Sequence, residues 1–160
     1  MVSVIWYAVR CEAGNEDKTA EKWKQKLIGQ CGEAFVFTYE KMKRYEGSWH
    51  LLREPLFAGY IFLVVKDEMI PEKEDDQSLI PVGTEETRFL EEIGGKEHHI
   101  PMSRGYIKEG QTCVTEGPLC GRESQIRKID RHKRLARLEC PVDQYQRKGL
   151  WAGLEIVSKS

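Results

Sequence analysis

The chain has 160 residues, 40% hydrophobic and 32% charged, and its 25 Lys+Arg against 26 Asp+Glu leave a formal net charge of −1 at pH 7. This is the composition of a soluble globular protein of one ordinary domain or two small ones. It excludes a membrane-spanning helix, since the longest apolar stretch, residues 60–65, is far too short. The N-terminus lacks a basic region followed by an apolar core and a cleavage site, so the expected compartment is the cytosol.

Five cysteines, Cys11, Cys31, Cys113, Cys120 and Cys140, make an odd number without CxxC spacing, and a reducing compartment keeps them as thiols. His98 and His99 are adjacent rather than one helical turn apart, so a zinc site would have to borrow distant cysteines. A polar turn and small buried thiols account for them, and neither metal nor cofactor is expected. The overall charge hides an asymmetry: residues 1–108 hold 15 Lys+Arg against 19 Asp+Glu, whereas 109–160 hold 10 against 7.

Along the chain, VIWYAVR (4–10) is rich in β-branched and aromatic residues and predicts a largely buried first strand. A helix follows, with Asn15 as its cap, Glu16 and Asp17 at the positive end of the dipole, and Lys22, Lys24 and Lys26 toward the other. Ala20, Trp23, Leu27 and Cys31 fall on one face, and Gly29 and Gly32 mark the stop. Phe35, Phe37 and Tyr39 then alternate with smaller residues, Glu46-Gly47-Ser48 is a turn, and WHLLREPLF (49–57) resumes an extended pattern, which makes a hairpin. Pro55 interrupts the pairing, Gly59 permits a bend, and YIFLVV (60–65) has the continuous apolar character of a central strand. The acidic run DEMIPEKEDD (67–76) reads as a solvated loop.

Thr84 caps a second helix, Phe89, Leu90 and Ile93 form its buried face, and Gly94-Gly95 ends it. Strand, helix, hairpin, strand and helix suit an antiparallel sheet with helices on one face. Residues 97–108, with Pro101, Ser103 and Gly105 and no clear period, read as a linker between a domain at 1–96 and one at 109–160. The short extended runs QTCVTE, SQIRKID, LARLECPV and LEIVS suit a small all-β barrel.

Within that barrel, GQTCVTEGPLCGRESQIRKID (110–130) sets a tight turn at Gly117-Pro118, a core plug at Leu119 and a second bend at Gly121. This stretch resembles the KOW motif, the SH3-like barrel module of NusG-family transcription factors. The WY of the first strand and EPLFAGYIFL (54–63) resemble the two signatures of the NusG N-terminal (NGN) domain. Ala58 stands where that family usually has proline, and Ser124 where the KOW pattern has a second glycine, so Ser124 must avoid a positive φ or bear strain. The tail RKGLWAGLEIVSKS and the stretch IDRHKRLARLE look most like the LoaP-type specialised paralogues, antiterminators that act on selected long operons.

The resemblance implies an α+β protein without catalytic activity, in which an NGN-type antiparallel sheet with helices precedes a KOW barrel. It implies a cytoplasmic bacterial monomer whose N-terminal domain binds the clamp helices of RNA polymerase. The matching residues are Tyr60 and Phe62, with Phe57 and Tyr7 as neighbours, although each could equally be core. Tyr60 and Phe62 share one face of their strand and Ile61 and Leu63 the other, so one set can pack under the helices while the other lines a surface. Arg10, Lys22 and Lys26 are candidates for the nontemplate DNA strand, diluted by Glu12, Glu16, Asp17 and Glu21.

If SQIRKID and LARLECPV pair, then Arg131, His132, Lys133 and Arg134 are the tip of a hairpin flanked by Arg127, Lys128 and Arg137. Six Lys or Arg stand there against Asp130 alone. Adjacent cations repel unless an anion answers them, and guanidinium groups both grip phosphates and stack on unpaired bases, which suits a nascent RNA hairpin. A solvated turn is the plain alternative. Rival functions are a general NusG factor contacting Rho or the ribosome, a ribosome-associated module, and an enzyme using Cys11 or Cys120 with a histidine. The β-like alternation of 125–142 speaks against refolding into helices.

Overall fold

The structure is a computed structural model and describes residues 4–29, 32–66, 79–139 and 150–160. They divide between two compact units, Met1–Phe37 with Phe57–Arg88, and Thr38–Leu56 with Phe89–Ser160. The class is α+β, and no helix among the described residues is long and apolar enough to cross a membrane.

In the first unit, β1 (Val4–Arg10) pairs antiparallel with β5 (Tyr60–Lys66) along its whole length, Val4 opposite Lys66 and Arg10 opposite Tyr60. β2 (Glu33–Phe35) and β6 (Leu79–Pro81) complete an antiparallel sheet in the order β2-β5-β1-β6. Strand alternation puts Val9, Ile61, Leu63 and Val65 on one face, where Ala20 and Trp23 of α1 (Glu16–Lys26) and the following Leu27 cover them. Each such large apolar side chain contributes roughly 1.5–3 kcal/mol on full burial. Cys31, the expected fourth member of that helix face, lies outside the described residues.

The helix start differs from expectation. Asn15 makes no side-chain cap; its amide donates to Glu12 at 3.4 Å, and its carbonyl accepts the Thr19 hydroxyl at 2.9 Å. Glu16 is the residue that ties the helix down. Its two carboxylate oxygens accept the N–H groups of Gly14 at 2.8 Å and Gly59 at 2.9 Å, joining the α1 entry to the turn before β5. The second helix, α2 (Thr84–Gly94), buries Phe89, Leu90 and Ile93 as expected. Thr84 is its first residue rather than its cap, and the Gly83 carbonyl accepts the N–H of Thr87.

In the second unit, β3 (Thr38–Tyr45) and β4 (Ser48–Pro55) form the hairpin expected around Glu46-Gly47-Ser48, but the expected first strand over 34–45 is split: Phe35 belongs to β2, paired with β5, and Phe37 to neither strand. The hairpin's turn residues Glu46 and Gly47 both have positive φ, 53° and 79°, as a tight two-residue hairpin requires. β7 (His99–Ile100) lies parallel to β3 only at Thr38 and Tyr39. A five-stranded sheet follows in the order β10-β11-β12-β8-β9, from β8 (Ser103–Lys108), β9 (Gln111–Glu116), β10 (Ile126–Asp130), β11 (Leu135–Leu138) and β12 (Leu150–Lys159). All its pairs are antiparallel except β8 with β12.

Residues 97–108, expected to lack regular structure, contain β7 and β8. The polar and small residues that suggested a linker are there for packing. Ser103 is buried and its hydroxyl accepts the Leu119 N–H at 3.1 Å, while a side chain at Gly105 would run into the Cys113 carbonyl. His99, expected in a polar turn, hydrogen-bonds through Nδ1 to the Thr38 hydroxyl at 2.8 Å. Burial, then the nearby Arg53, hold its ring below the usual imidazole range despite Glu40 and Glu97. Leu119 is fully buried between the bends at Gly117 and Gly121, both with positive φ. Ser124 escapes strain by sitting in a single 3-10 turn, Glu123–Gln125, with no positive φ. The acidic run 67–76 and the end of LARLECPV, 140–142, lie outside the described residues.

The β3–β4 hairpin is held to the rest of its unit at several points. Glu40 accepts the Met102 N–H at 2.8 Å, and Gly153 of β12 approaches so closely that an added Cβ would stand 2.7 Å from the Glu40 carbonyl oxygen and overlap the Met102 sulfur. The Arg134 guanidinium lies 4.0 Å from the centroid of the Trp49 ring.

Candidate nucleic-acid interface

β10 and β11 pair antiparallel, with Asp130 opposite Leu135, so Arg131, His132, Lys133 and Arg134 do form the tip. The Asp130 carboxylate accepts the Lys133 N–H at 2.9 Å and fixes the turn. Arg131, His132 and Lys133 are exposed, and no carboxylate among the described residues lies within ion-pair distance of Arg131 or Lys133. A fixed backbone carrying unanswered cations is suited to polyanions.

The seven basic residues are not one surface. Arg134 turns inward: its φ is 56°, its carbonyl accepts the Leu154 N–H at 2.9 Å, and its guanidinium sits between the Trp49 ring and Glu155, 3.8 Å away. Arg127 is tied to Glu139 and to the Ser124 carbonyl. With Lys128 it lines a cleft of about 550 Å³ beside Gln111, Thr112 and Lys159. His132 and Lys133 line a different cleft, of about 360 Å³, together with residues 41–44, Trp49 and Leu135 of the same unit. Arg137 is half-buried in β11, opposite Trp151 of β12.

Residue-type reasoning along the tip missed Lys43, Arg44 and Trp49, which no local motif ties to it. The signal was present as Lys41, Lys43 and Arg44 in a single short strand.

The aromatic residues of the expected polymerase surface are also divided. Phe62 and Phe57 are fully buried, Phe57 edge-on to Phe62 at 5.4 Å, in a cluster with Trp6, Phe35 and Phe37. The sheet face opposite α1 is thus a second packed layer, not an open aromatic face. Tyr7 pairs with Leu63 and packs with the α1 layer, so it lies on the other side of the sheet from Tyr60 and Phe62. Tyr60, half-buried, is the accessible member of its face. Opposite it, Arg10 is exposed, donates to the Tyr60 hydroxyl at 3.3 Å and lies over the ring at 5.8 Å.

Arg10 shares the Tyr60 face, whereas Lys22 and Lys26 belong to α1 on the opposite face, and Lys26 lies over the Trp23 ring at 4.8 Å. These three therefore do not share one face of the sheet. Burial pushes the Cys11 thiol up, with a Thr19 hydrogen bond pulling down and Glu16 pushing up, which keeps it protonated and a poor nucleophile.

A family model described as "Transcription termination factor nusG" matches residues 5–110. No curated protein matches the chain.

Proposed function

The chain belongs to the NusG family of transcription elongation and termination factors, and from that premise we propose that it is a LoaP-type antiterminator. Members of this non-enzymatic family bind RNA polymerase. In this chain the proposed polymerase contact centres on Tyr60, with Phe57 and Phe62 setting its position from beneath; Tyr7, on the α1 face, falls outside that contact, and Arg10 beside Tyr60 is the proposed contact for nontemplate DNA. The protein works as a monomer in the cytoplasm, its KOW part reads a nascent RNA hairpin, and tethering RNA to polymerase raises the effective concentration of each for the other. The result is readthrough of terminators on selected operons.

The observation that carries this reading is the exposed β10–β11 tip, where Arg131 and Lys133 meet no carboxylate among the described residues.

Single-round transcription through an operon leader followed by terminators tests it. Readthrough should require the leader hairpin, and R131A/K133A should abolish it while leaving polymerase binding intact. Effects on pausing that ignore the hairpin would overturn the proposal and assign the protein to the general NusG type, with Rho or the ribosome as partner.

A further inference from the structure

Strand β3 has β4 on one side and, on the other, β7 only at Thr38 and Tyr39. From Lys41 to Arg44 its second edge has no strand partner among the described residues, and that edge borders the cleft shared with the β10–β11 tip. Lys43 and Arg44 are exposed there, as are His132 and Lys133 across the cleft, and none of these has an acidic partner among the described residues. Lys41 is the exception, 3.7 Å from Glu54. The apolar part of the cleft is Met42, Trp49 and Leu135, and Arg134 lies against one face of the Trp49 ring.

Cations at the border and an aromatic ring within are the two features that single-stranded nucleic acid uses, phosphates on the first and a base against the second. An unpaired strand edge adds N–H and C=O groups that can read a base edge. A pocket for an acidic peptide would not need the aromatic ring. We propose that this cleft is part of the RNA site: it takes an unpaired nucleotide of the RNA hairpin, with flanking phosphates on Lys43, Arg44 and Lys133. The proposal rests on the RNA-binding reading above and extends it to a strand that precedes the Arg131–Arg134 tip in sequence by more than half of the chain. The N-terminal signature and the RNA-reading tip are then not separate binding devices, because residues 38–56 serve the second.

The test uses the full-length protein and a labelled stem-loop RNA with a randomised loop, together with the strongest binder selected from that pool. K43A/R44A should weaken binding of the selected RNA and lower the magnitude of the log–log salt slope by roughly 1.4, about 0.7 for each single-strand phosphate no longer met. The same variant should bind a fully paired stem of that RNA as wild type does. If R131A/K133A loses affinity and K43A/R44A does not, the cleft proposal falls while the RNA reading stands. If wild type selects no RNA, both fall. Displacement of the RNA by a polyglutamate peptide as readily as by unlabelled RNA would assign the cleft to an acidic protein partner and overturn the proposal.

Discussion

Glu16 illustrates how a single buried charge can hold two segments far apart in sequence. The residue is 5% exposed, and its carboxylate accepts one N–H on each oxygen, from Gly14 and from Gly59. Burial pushes its pKa up, but the N–H groups of Gly59, of Glu16 itself and of Gly14 prevail and hold it below the ordinary value of 4.5. A folded pKa below the unfolded one means that this contribution is complete above pH 4.5 and disappears as pH falls through the folded value. E16Q should cost about 1–3 kcal/mol at pH 7, because an amide can accept at one position and presents a donor to an N–H at the other. Denaturant unfolding of both proteins should show the gap between them closing as the pH drops below 4; a gap constant with pH would mean the carboxylate charge is not what matters. From the sequence Glu16 is a helix-dipole residue, since nothing local announces a partner 43 positions away. Phe57 and Phe62 were similarly opaque. Alternation separates the two faces of a strand but does not say whether the second face is covered, and Tyr7 changes sides once the β1–β5 register is known.

Elements with strong internal periodicity or turn chemistry were legible: β1, α1 through Ala20, Trp23 and Leu27, the β3–β4 hairpin, β5, α2, and the bends around Leu119. The β7–β8 segment was not, because its small and polar residues answer to distant neighbours rather than to their own strand. The docking of the β3–β4 hairpin was equally hidden, resting on contacts such as Gly153 against Glu40. That contact makes a sharp test. G153A should destabilise the second unit by about 1–3 kcal/mol through overpacking and weaken RNA binding by displacing β3 from the tip. Loss of protection from hydrogen exchange at Met102, whose N–H bonds to Glu40, is the expected signature. Unchanged exchange there would mean that the added Cβ is accommodated without moving β3 away from Met102.

For the molecule as a whole, grouping the charge by compact unit sharpens the asymmetry seen along the sequence. The first unit carries 8 Lys+Arg against 13 Asp+Glu and the second 17 against 13. The basic unit thus includes Lys41, Lys43, Arg44 and Arg53, which a cut at residue 108 assigns to the acidic half. A fragment of residues 89–160 should accordingly be less stable than the same residues in the full chain, lacking Trp49 under Arg134 and Thr38 beside His99. The melting temperature should drop by roughly 4–8 °C for each kcal/mol lost, and a peptide of residues 38–56 added in trans should recover part of it. A fragment melting with the intact second unit would show the hairpin to be a passenger.

The placement of β3 and β4 also sets an order of events during synthesis. The hairpin leaves the ribosome about 100 residues before the last strand of its own unit, a lag of roughly 5–20 s at ordinary rates of about 5–20 residues per second. For that interval the second edge of β3 lacks the cover of β12, whose Gly153 packs at Glu40, and could template pairing with another nascent chain. Positive side chains along a strand edge discourage such pairing. Lys41, Lys43 and Arg44 therefore guard the newborn chain before they meet any ligand.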